Sequence, residues 1–439
     1  MKYYSTNGKA PIADLHKTVV KGLAEDRGLY MPESIKQLPK EFFDTIETKT
    51  FQEIAYTVAD AFFGEDVDAE SLRKIVYDTL SFDCPVVKVK DHIYSLELFH
   101  GPTLAFKDVG ARFMARLLQY FIRQESGNGQ VNVLVATSGD TGSAVANGFL
   151  GVEGIHVYVL YPKGKVSPIQ ECQFTTLGQN ITAIEVDGVF DDCQALVKNA
   201  FMDAELNQHM KLTSANSINV ARFLPQAFYY FNAYARMKAL TSHLSPLTSN
   251  LVMCVPSGNF GNICAALFGH AQGLPIKRFI AANNANDIFY NYLQTGRYEP
   301  KPSKQTLANA MDVGDPSNFA RIYDLYGKSH ERISSLISGA TYSDDQIRET
   351  MRQCYEETGY ILDPHGACGY QALVDGLQPN EVGVFCETAH PAKFKEKVDD
   401  ILGIDVDIPA RLRAFMEGEK QSTPMTKDFA DFKQYLLSQ

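Results

Sequence analysis

Short apolar segments alternate with amphipathic ones along this 439-residue chain from residue 86 onward. The apolar segments contain few polar residues, which is typical of strands buried on both faces of a parallel sheet. The segments between them have helical spacing, so the pattern predicts doubly wound α/β domains with helices on both faces of each sheet. The predicted strands are 131–137, 156–162, 181–188, 251–258, 277–282 and 381–389, and the predicted helices are 143–149, 168–177, 191–202, 219–237 and one that begins at 262.

The first 85 residues have a different pattern. Helical spacing occurs at 14–23, 51–62 and 70–80, and no run is typical of a buried parallel strand. Residues 301–345 are polar and irregular, and we expect either a long active-site loop or an inserted helical hairpin there. The predicted parts of the chain are a mostly helical N-terminal domain at 1–85, a large α/β domain from 86–125 and 216–410, a small α/β domain at 126–215, and a C-terminal tail at 411–439.

Composition and charge argue against several classes of function. The formal net charge of −11 disfavours nucleic acid or an anionic membrane as the main partner, although a local pocket can still bind an anionic substrate. No apolar run approaches the ~20 residues of a membrane span, and the N-terminus lacks the apolar core of a signal peptide. The eight cysteines never form CxxC, which favours buried free thiols. We expect a cytoplasmic protein.

The segment HGPTLAFKDVG, residues 100–110, places a lysine in apolar surroundings. Lys107 begins a stripe of apolar residues at helical spacing, and the preceding Gly-Pro-Thr forms a turn that can open such a helix. Contact with Leu104 and Phe106 would partly desolvate the lysine and disfavour its charged form, as a Schiff-base lysine requires. On this segment alone, a surface lysine with a buried stem is the alternative.

The segment PSGNFGN, residues 256–262, follows a predicted strand and opens a predicted helix. Its glycines let the backbone approach a phosphate, while the helix N-terminus presents N–H groups and the positive end of its dipole. The side chains of Asn259 and Asn262 are expected to add donors. The segment is neither a Walker loop nor a dinucleotide fingerprint. A strand-to-helix turn with a purely structural role is the alternative.

The segment TSGDTGSA, residues 137–144, also lies between a predicted strand and a predicted helix. It has hydroxyl groups at 137, 138, 141 and 143, which suit a second anion such as the carboxylate or phosphate of a substrate. The alternative is a tight turn capped by Ser or Thr. Two anion-binding turns and a desolvated lysine are together more specific than any one of them.

These segments resemble the threonine synthase family, which belongs to the fold-type II, tryptophan-synthase β-like group of pyridoxal-phosphate enzymes. The resemblance covers most of the chain, and several segments are typical of threonine synthases rather than of the larger group. It implies the fold-type II architecture and a pyridoxal 5′-phosphate cofactor. The matching segments are GLAEDRGLYMPE, LELFHGPTLAFKD, ATSGDTG, LYPKGKVSPIQ, SANSINVARFLPQ, VPSGNFGN, AMDVGDPSN and TAHPAKFKE.

The resemblance also implies how the cofactor is bound. Lys107 would carry it as a Schiff base, and Thr388 would face the nitrogen of its pyridine ring. A hydroxyl cannot keep that nitrogen protonated as a carboxylate would, so the electron sink is tuned differently. A cap at the end of a strand is the alternative for Thr388. The implied ligands of the cofactor phosphate are Ser257, Gly258, Asn259, Phe260, Gly261 and Asn262.

The implied reaction is the last step of threonine biosynthesis, a β,γ-elimination and water addition that converts O-phospho-L-homoserine and water to L-threonine and phosphate. Ser138 and Thr141 would bind the carboxylate or phosphate of the substrate. Ser217, Asn219 and Arg222 would bind the substrate phosphate, since a guanidinium group presents forked donors. An ion pair on a helix surface is the alternative for Arg222.

Some residues near these segments have no role that the resemblance settles. Many relatives have Asn in a TSGNTG turn, where it contacts the ring hydroxyl of the cofactor, whereas this chain has Asp140. An ionised Asp accepts hydrogen bonds but cannot donate them, so its place among the substrate and cofactor contacts is open. His100, His365 and His390 adjoin the matching segments without metal-ligand spacing, so we expect no metal site.

Two other functions are compatible with parts of the pattern. A threonine/serine dehydratase or a cysteine synthase would use the same lysine and phosphate turn but needs no second phosphate site. A non-catalytic protein that binds pyridoxal phosphate or phosphate is the other, and the retention of Lys107 argues against it. The sequence does not determine the oligomeric state, although a monomer is slightly favoured.

Overall fold

The computed structural model describes residues 1–125, 129–242 and 250–439, which form two compact units. The units do not follow the predicted domain boundaries, because segments far apart in the chain pack together. The predicted N-terminal domain, for example, contributes residues to both units, and the predicted division stays a prediction. The first unit contains Met1, Pro32–Phe106 and Phe223–Asp407, and the second contains Lys2–Met31, Lys107–Arg222 and Ile408–Gln439.

The described residues form fourteen strands and twenty α-helices. Strands β1–β14 are Lys2–Ser5, Ala13–Asp14, Tyr30–Pro32, Val86–Lys90, Ile93–Glu97, Val131–Ala136, Ile155–Pro162, Ile181–Asp187, Lys211–Ser214, Leu251–Pro256, Arg278–Asn283, Ile337–Thr341, Val382–Glu387 and Thr423–Thr426. Helices α1–α20 are Leu15–Lys21, Lys40–Asp44, Phe51–Phe63, Ala69–Thr79, Lys107–Gln124, Asp140–Phe149, Pro168–Thr175, Phe190–Met202, Ala204–His209, Val220–Phe223, Ala227–Leu240, Gly261–Ala271, Ile288–Thr295, Phe319–Leu325, His330–Leu336, Asp344–Thr358, Pro364–Gly376, Lys395–Leu402, Ala410–Met416 and Phe429–Leu437. Short 3-10 helices lie at Ile46–Thr48, Leu224–Gln226, Asn309–Met311 and Pro391–Phe394.

The first unit is built around a six-stranded sheet with the order β12–β11–β10–β13–β5–β4. All neighbouring strands are parallel except β4 and β5. Cys254 of β10 pairs with Phe385 of β13, and each residue lies two positions before the end of its strand. The segments that follow β10 and β13 therefore begin at the same edge of this sheet, where ligands bind in open α/β sheets.

The second unit contains a five-stranded parallel sheet with the order β14–β8–β7–β6–β9. All six residues of β6 are buried, as expected for a strand that lies inside a sheet covered on both faces. Leu134 of β6 pairs with Ser214 of β9, so the segments that follow these two strands begin at one edge of the sheet. A smaller three-stranded sheet has the order β2–β1–β3.

The hydrophobic pattern located most of the central elements. All six predicted strands are present, at β6, β7, β8, β10, β11 and β13. The pattern missed the other strands, most of which lie at or near sheet edges and have partly exposed residues. The irregular stretch 301–345 contains α14, α15 and strand β12, and the helix predicted at 219–237 is interrupted at Pro225, which cannot donate a backbone hydrogen bond.

Burial agrees with the predicted state of the cysteines. All eight are free, and every one except the half-buried Cys172 is buried. Among the residues that the structure describes, no helix is both long and apolar enough to cross a membrane.

Candidate active site

Lys107 is the first residue of α5, as the sequence predicted. The apolar stripe that follows it is buried, and its members are at most 3% exposed: Val109, Phe113, Leu117 and Phe121. Packing of this stripe fixes the helix in the second unit. Lys107 itself is half-buried at the start of the helix. Because the buried face of α5 fixes the helix, it also fixes the Cα atom from which the side chain of Lys107 extends.

The residues before Lys107 are held by the segment 388–393 of the first unit. The N–H of Phe106 donates to the carbonyl oxygen of Thr388 at 2.8 Å, and the N–H of His390 donates to that of Leu104 at 3.0 Å. Lys393, which is fully buried, donates from Nζ to the carbonyl oxygen of Thr103 at 2.9 Å. Two segments singled out in the sequence, HGPTLAF and TAHPAKF, therefore pair in an antiparallel arrangement, and Lys107 is the next residue of the chain.

Thr388 follows the last residue of β13 and is 6% exposed. Within the described part of the chain its hydroxyl has no hydrogen-bond partner, which leaves it available for a ligand. His390 is different, because burial together with the neighbouring His100 lowers its pKa to about 4. The imidazole is neutral at pH 7, and its Nδ1 accepts a hydrogen bond from the N–H of Ala392 at 3.0 Å.

The side chain of Asn262 braces the predicted phosphate turn from within. Its Nδ2 donates to the carbonyl oxygen of Pro256 at 2.9 Å, and its Oδ1 accepts from the hydroxyl of Ser257 at 2.8 Å and from the N–H of Ile263 at 2.9 Å. This arrangement connects the end of β10 to the start of α12. The sequence predicts this side chain as a donor to a phosphate, whereas in the structure its amide donates within the turn.

The backbone of the same turn presents a group of unpaired donors. Phe260 has φ 64° and ψ 14°, a left-handed conformation, and it precedes α12 without a side-chain cap. Across the described ranges, the N–H groups of Gly258, Phe260, Gly261 and Asn262 have no hydrogen-bond acceptor. Unpaired N–H groups at the start of a helix, with glycines that allow close approach, fit a phosphate group.

Two buried acids beside Thr388 were not predicted from the sequence. Glu387 ends β13 and is fully buried, and its Oε1 accepts from the N–H of Asp363 at 2.6 Å. Burial and the nearby carboxylate of Asp363 raise the pKa of Glu387 well above its usual value. The neighbouring His365 accepts at Nε2 from the N–H of Ala310 at 3.1 Å. The position of Glu387, directly before TAHPAKF, was the signal available in the sequence.

In the second unit, the structure separates the four hydroxyls of TSGDTGSA into two groups. Thr137 accepts at Oγ1 from the N–H groups of Gly139 and Gly142 at 2.9 and 2.7 Å, and Ser143 donates to the carbonyl oxygen of Gly139 at 2.9 Å. These two hydroxyls hold the turn. Ser138 and Thr141 are half-buried, and the hydroxyl of Thr141 has no partner in the described part of the chain.

Asp140, the residue that departs from the family pattern, is 2% exposed at the first position of α6. Its Oδ1 accepts from Nε2 of Gln170 at 3.0 Å. A negative charge is favourable at a helix N-terminus, so Gln170 and the helix together accommodate the acid. Whether it contacts a cofactor stays a prediction.

Asn219 holds the SANSIN loop through three backbone groups. Its Nδ2 donates to the carbonyl oxygens of Val19 and Ser214 at 2.9 and 3.1 Å, and its Oδ1 accepts from the N–H of Ala221 at 3.0 Å. Both amide hydrogens are therefore used. The side chain has no donor left for a substrate phosphate, so Asn219 supports the loop instead of the predicted contact.

Arg222 is 1% exposed, which is incompatible with the alternative of an ion pair on a helix surface. Its Nε donates to the carbonyl oxygen of Ala215 at 2.7 Å, and its Nη1 lies 3.5 Å from the carbonyl oxygen of Lys107. Ser217, in the loop between Ala215 and Arg222, is half-buried. The guanidinium group is thus a buried cation close to the backbone at the start of α5.

Family models match almost the whole chain. Residues 84–386 match the model of pyridoxal-phosphate dependent enzymes, 2–80 that of the threonine synthase N terminus, and 366–436 that of the threonine synthase C-terminal region. The threonine synthase of Haemophilus influenzae is 43% identical over 437 residues, with 100% of both chains covered.

Solved structures give the same result. The crystal structure of threonine synthase from Escherichia coli matches with a TM-score of 0.93 and 42% identity, covering 100% of both chains. The pyridoxal-phosphate-bound threonine synthase from Brucella melitensis matches with a TM-score of 0.91 and 34% identity, covering 100% of this chain and 99% of that one. The chain belongs to the threonine synthase family of pyridoxal-phosphate-dependent enzymes.

Proposed function

We propose that this chain converts O-phospho-L-homoserine and water into L-threonine and phosphate, with Lys107 as the lysine that holds pyridoxal phosphate. Pyridoxal phosphate is the cofactor of the family, and full-length relatives with about 40% identity carry the name threonine synthase. The assignment of individual residues rests on the geometry of each unit and on the continuity of the chain.

One observation carries the assignment of Lys107. Lys107 is covalently linked to Phe106, and the N–H of Phe106 donates to the carbonyl oxygen of Thr388. Thr388 follows β13, whereas the phosphate turn that begins at Ser257 follows the adjacent parallel strand β10. The lysine is therefore one residue away from an edge of the sheet that already supplies two candidate cofactor contacts.

The residues of the first unit fit the cofactor's polar groups. The unpaired N–H groups of Gly258, Phe260, Gly261 and Asn262 would hold its phosphate. The hydroxyl of Thr388 would meet the nitrogen of its ring. When bound, the cofactor supplies an electron sink for breaking bonds at the substrate's Cα and Cβ. A neutral hydroxyl partner leaves the ring nitrogen without the charge that a carboxylate partner would maintain.

Lys107 acts as the base in this proposal. Its amine would hold the cofactor in the resting enzyme. Once free, it would take a proton from Cα and then one from Cβ of the substrate, and phosphate would leave Cγ. The two protons would end on Cγ and Cα as water adds its hydroxyl to Cβ, and the other proton of the water would go to the released phosphate. A positioned base of this kind contributes ~10²–10⁴-fold to a rate. Its place at the start of a packed helix supports the role, because the buried stripe of α5 fixes the origin of the side chain.

The remaining predicted contacts would bind the anionic groups of the substrate. Ser138 and Thr141 offer hydroxyls at the N-terminus of α6, where the helix dipole favours an anion. Ser217 and the buried cation of Arg222 would hold the substrate phosphate through elimination. The released phosphate, still bound there, would assist the attack of water at Cβ. Asn219 keeps the loop in place and makes no substrate contact.

The test is phosphate release from O-phospho-L-homoserine by the wild type, by Lys107→Ala and by a control, Lys198→Ala, which removes an exposed lysine of α8. We expect wild type and control to release phosphate and form threonine at equal rates, and Lys107→Ala to release none above background. If the wild type released no phosphate but deaminated threonine rapidly, the proposal would be refuted and the protein would be a dehydratase. Absence of both activities would support a non-catalytic binding protein.

We also propose that the protein is cytoplasmic; its oligomeric state is not determined, with a monomer slightly favoured by the sequence. The free state of all eight cysteines, most of them buried, supports a reducing compartment. Fractionation of the source cells checks the location, and sedimentation of the purified chain checks the oligomeric state.

A further inference from the structure

The segment AMDVGDPSN, residues 310–318, is typical of the family, yet nothing above assigns it a task. In the structure, Ser317 and Asn318, at its end, hydrogen-bond to Asn259 of the phosphate turn. The N–H of Ser317 donates to Oδ1 of Asn259 at 2.7 Å. The N–H and the Nδ2 group of Asn318 both donate to the backbone carbonyl oxygen of Asn259, at 3.3 and 3.2 Å.

Holding the carbonyl oxygen of Asn259 fixes a donor of the phosphate turn. The peptide group between Asn259 and Phe260 is planar and trans, so its C=O and N–H point in opposite directions. When Asn318 anchors the oxygen on one side, the N–H of Phe260 must point to the other. Phe260 is in the left-handed region, which is unfavourable for a residue with a Cβ and persists only where the surroundings hold it.

A buried arginine lies directly behind Asn318. Nη1 of Arg321 donates to Oδ1 of Asn318 at 2.8 Å, and its guanidinium group lies 4.1 Å from the centre of the Phe223 ring. Both Arg321 and Asn318 are fully buried. Burial lowers the pKa of Arg321 to about 10, so the group is still charged at pH 7.

This series of hydrogen bonds lets the charge of Arg321 polarise the phosphate turn. A donor that is ionised makes a stronger hydrogen bond and polarises its acceptor. Arg321 withdraws electron density from the side-chain amide of Asn318, which makes the Nδ2 group a better donor to Asn259. The peptide of Asn259 is polarised in turn, so the N–H of Phe260 becomes a better donor to an anion.

We infer that Asn318 and Arg321 are positioning residues for the cofactor phosphate, which orient and polarise the Asn259–Phe260 peptide without touching the cofactor. The inference rests on the proposed function of residues 257–262. It assigns a role to the AMDVGDPSN segment and to Arg321, which follows it. The peptide that would donate to the cofactor phosphate is thus two hydrogen bonds away from a buried positive charge.

The experiment compares two ligands that differ only in the phosphate. Protein stripped of its cofactor is titrated with pyridoxal 5′-phosphate and with pyridoxal, and binding is followed by the visible absorption of the adduct with lysine. The variants are Asn318→Ala, Arg321→Met and Arg321→Lys. Asn232→Ala is the matched control, because Asn232 is also a fully buried asparagine of the first unit but donates to the carbonyl oxygen of Cys84, outside this segment. Thermal melting without cofactor reports the fold of each variant.

For Asn318→Ala and Arg321→Met, we expect affinity for pyridoxal 5′-phosphate to fall about 10-fold or more, since charge-assisted hydrogen bonds are worth ~1.5–3 kcal/mol. Affinity for pyridoxal should stay within about twofold, and Arg321→Lys should retain more of the phosphate preference than Arg321→Met. Equal losses for both ligands would show a merely structural role and overturn the inference, as would an unchanged preference. A wild type that showed no preference for the phosphate would overturn the proposed turn itself, and the inference with it.

Discussion

At Gly258, in the phosphate turn, an added methyl group would collide with the backbone of a neighbouring segment. A Cβ on Gly258 would lie 2.7 Å from the carbonyl oxygen of Ala310 and 2.7 Å from Cα of Met311. Ordinary contact begins at 3.4 Å, so the turn and the 3-10 helix at 309–311 would have to separate by about 0.7 Å. That helix cannot move freely, because the N–H of Ala310 donates to Nε2 of His365.

Overpacking of this size costs ~1–3 kcal/mol, and the donors for the cofactor phosphate move with the backbone that carries them. We therefore expect Gly258→Ala to weaken the binding of pyridoxal 5′-phosphate by about 10- to 100-fold, because each 1.4 kcal/mol is a factor of ten. The assay is a titration of cofactor-free protein followed by visible absorption. Gly376→Ala is the control, since its Cβ would meet only Cδ1 of Ile280, at an ordinary 3.4 Å.

The result that refutes this reasoning is simple to recognise. If the affinity of Gly258→Ala for the cofactor is within about twofold of the wild-type affinity, the close packing between Gly258 and the 3-10 helix is not required for binding a phosphate. A loss of affinity that Gly376→Ala shares to the same degree would refute it as well, because the effect would then belong to any added methyl group.

Three further changes test other parts of the structure. Burial alone would raise the pKa of Asp26, but hydrogen bonds from the Ser5 hydroxyl and three backbone N–H groups lower it to about 2. The stability that the Asp26 carboxylate contributes is present above pH ~4 and is lost as the pH falls through 2. The free energy of unfolding in urea should therefore fall by about 1–2 kcal/mol less between these pH values in Asp26→Asn than in the wild type. An equal fall in both proteins would contradict this. Asn219→Ala removes two buried hydrogen bonds to backbone carbonyls and should lower the free energy of unfolding by about 1–3 kcal/mol, whereas a raised KM with unchanged stability would restore Asn219 as a substrate ligand. Thr141→Val should raise the KM for O-phospho-L-homoserine about 10-fold in steady-state kinetics without changing the cofactor's absorption, and a change in absorption alone would move Thr141 to the cofactor.

The sequence identified the elements that carry the candidate site. Periodicity located the central strands of both sheets, and it placed Lys107 at the start of α5 with a buried stripe behind it. Glycines and hydroxyls after two strands marked the turns at 137–144 and 256–262, because strand-to-helix turns need these residues locally. Such signals depend only on residues that are close together in the chain, so they can be recognised from the sequence alone.

Only the tertiary structure decided which polar groups are free to act. Asn219 and Asn262 read as ligands in the sequence, but their amides are used by backbone groups that tertiary packing brings within reach. Conversely, Asn318 gains a role because the turn at Asn259 lies against it, 59 residues away along the chain. The type of a side chain determines which hydrogen bonds it can donate or accept, and local periodicity predicts the helix or strand on which it lies. Which partner satisfies it depends on segments distant in the chain, and these meet only when the sheets and helices pack.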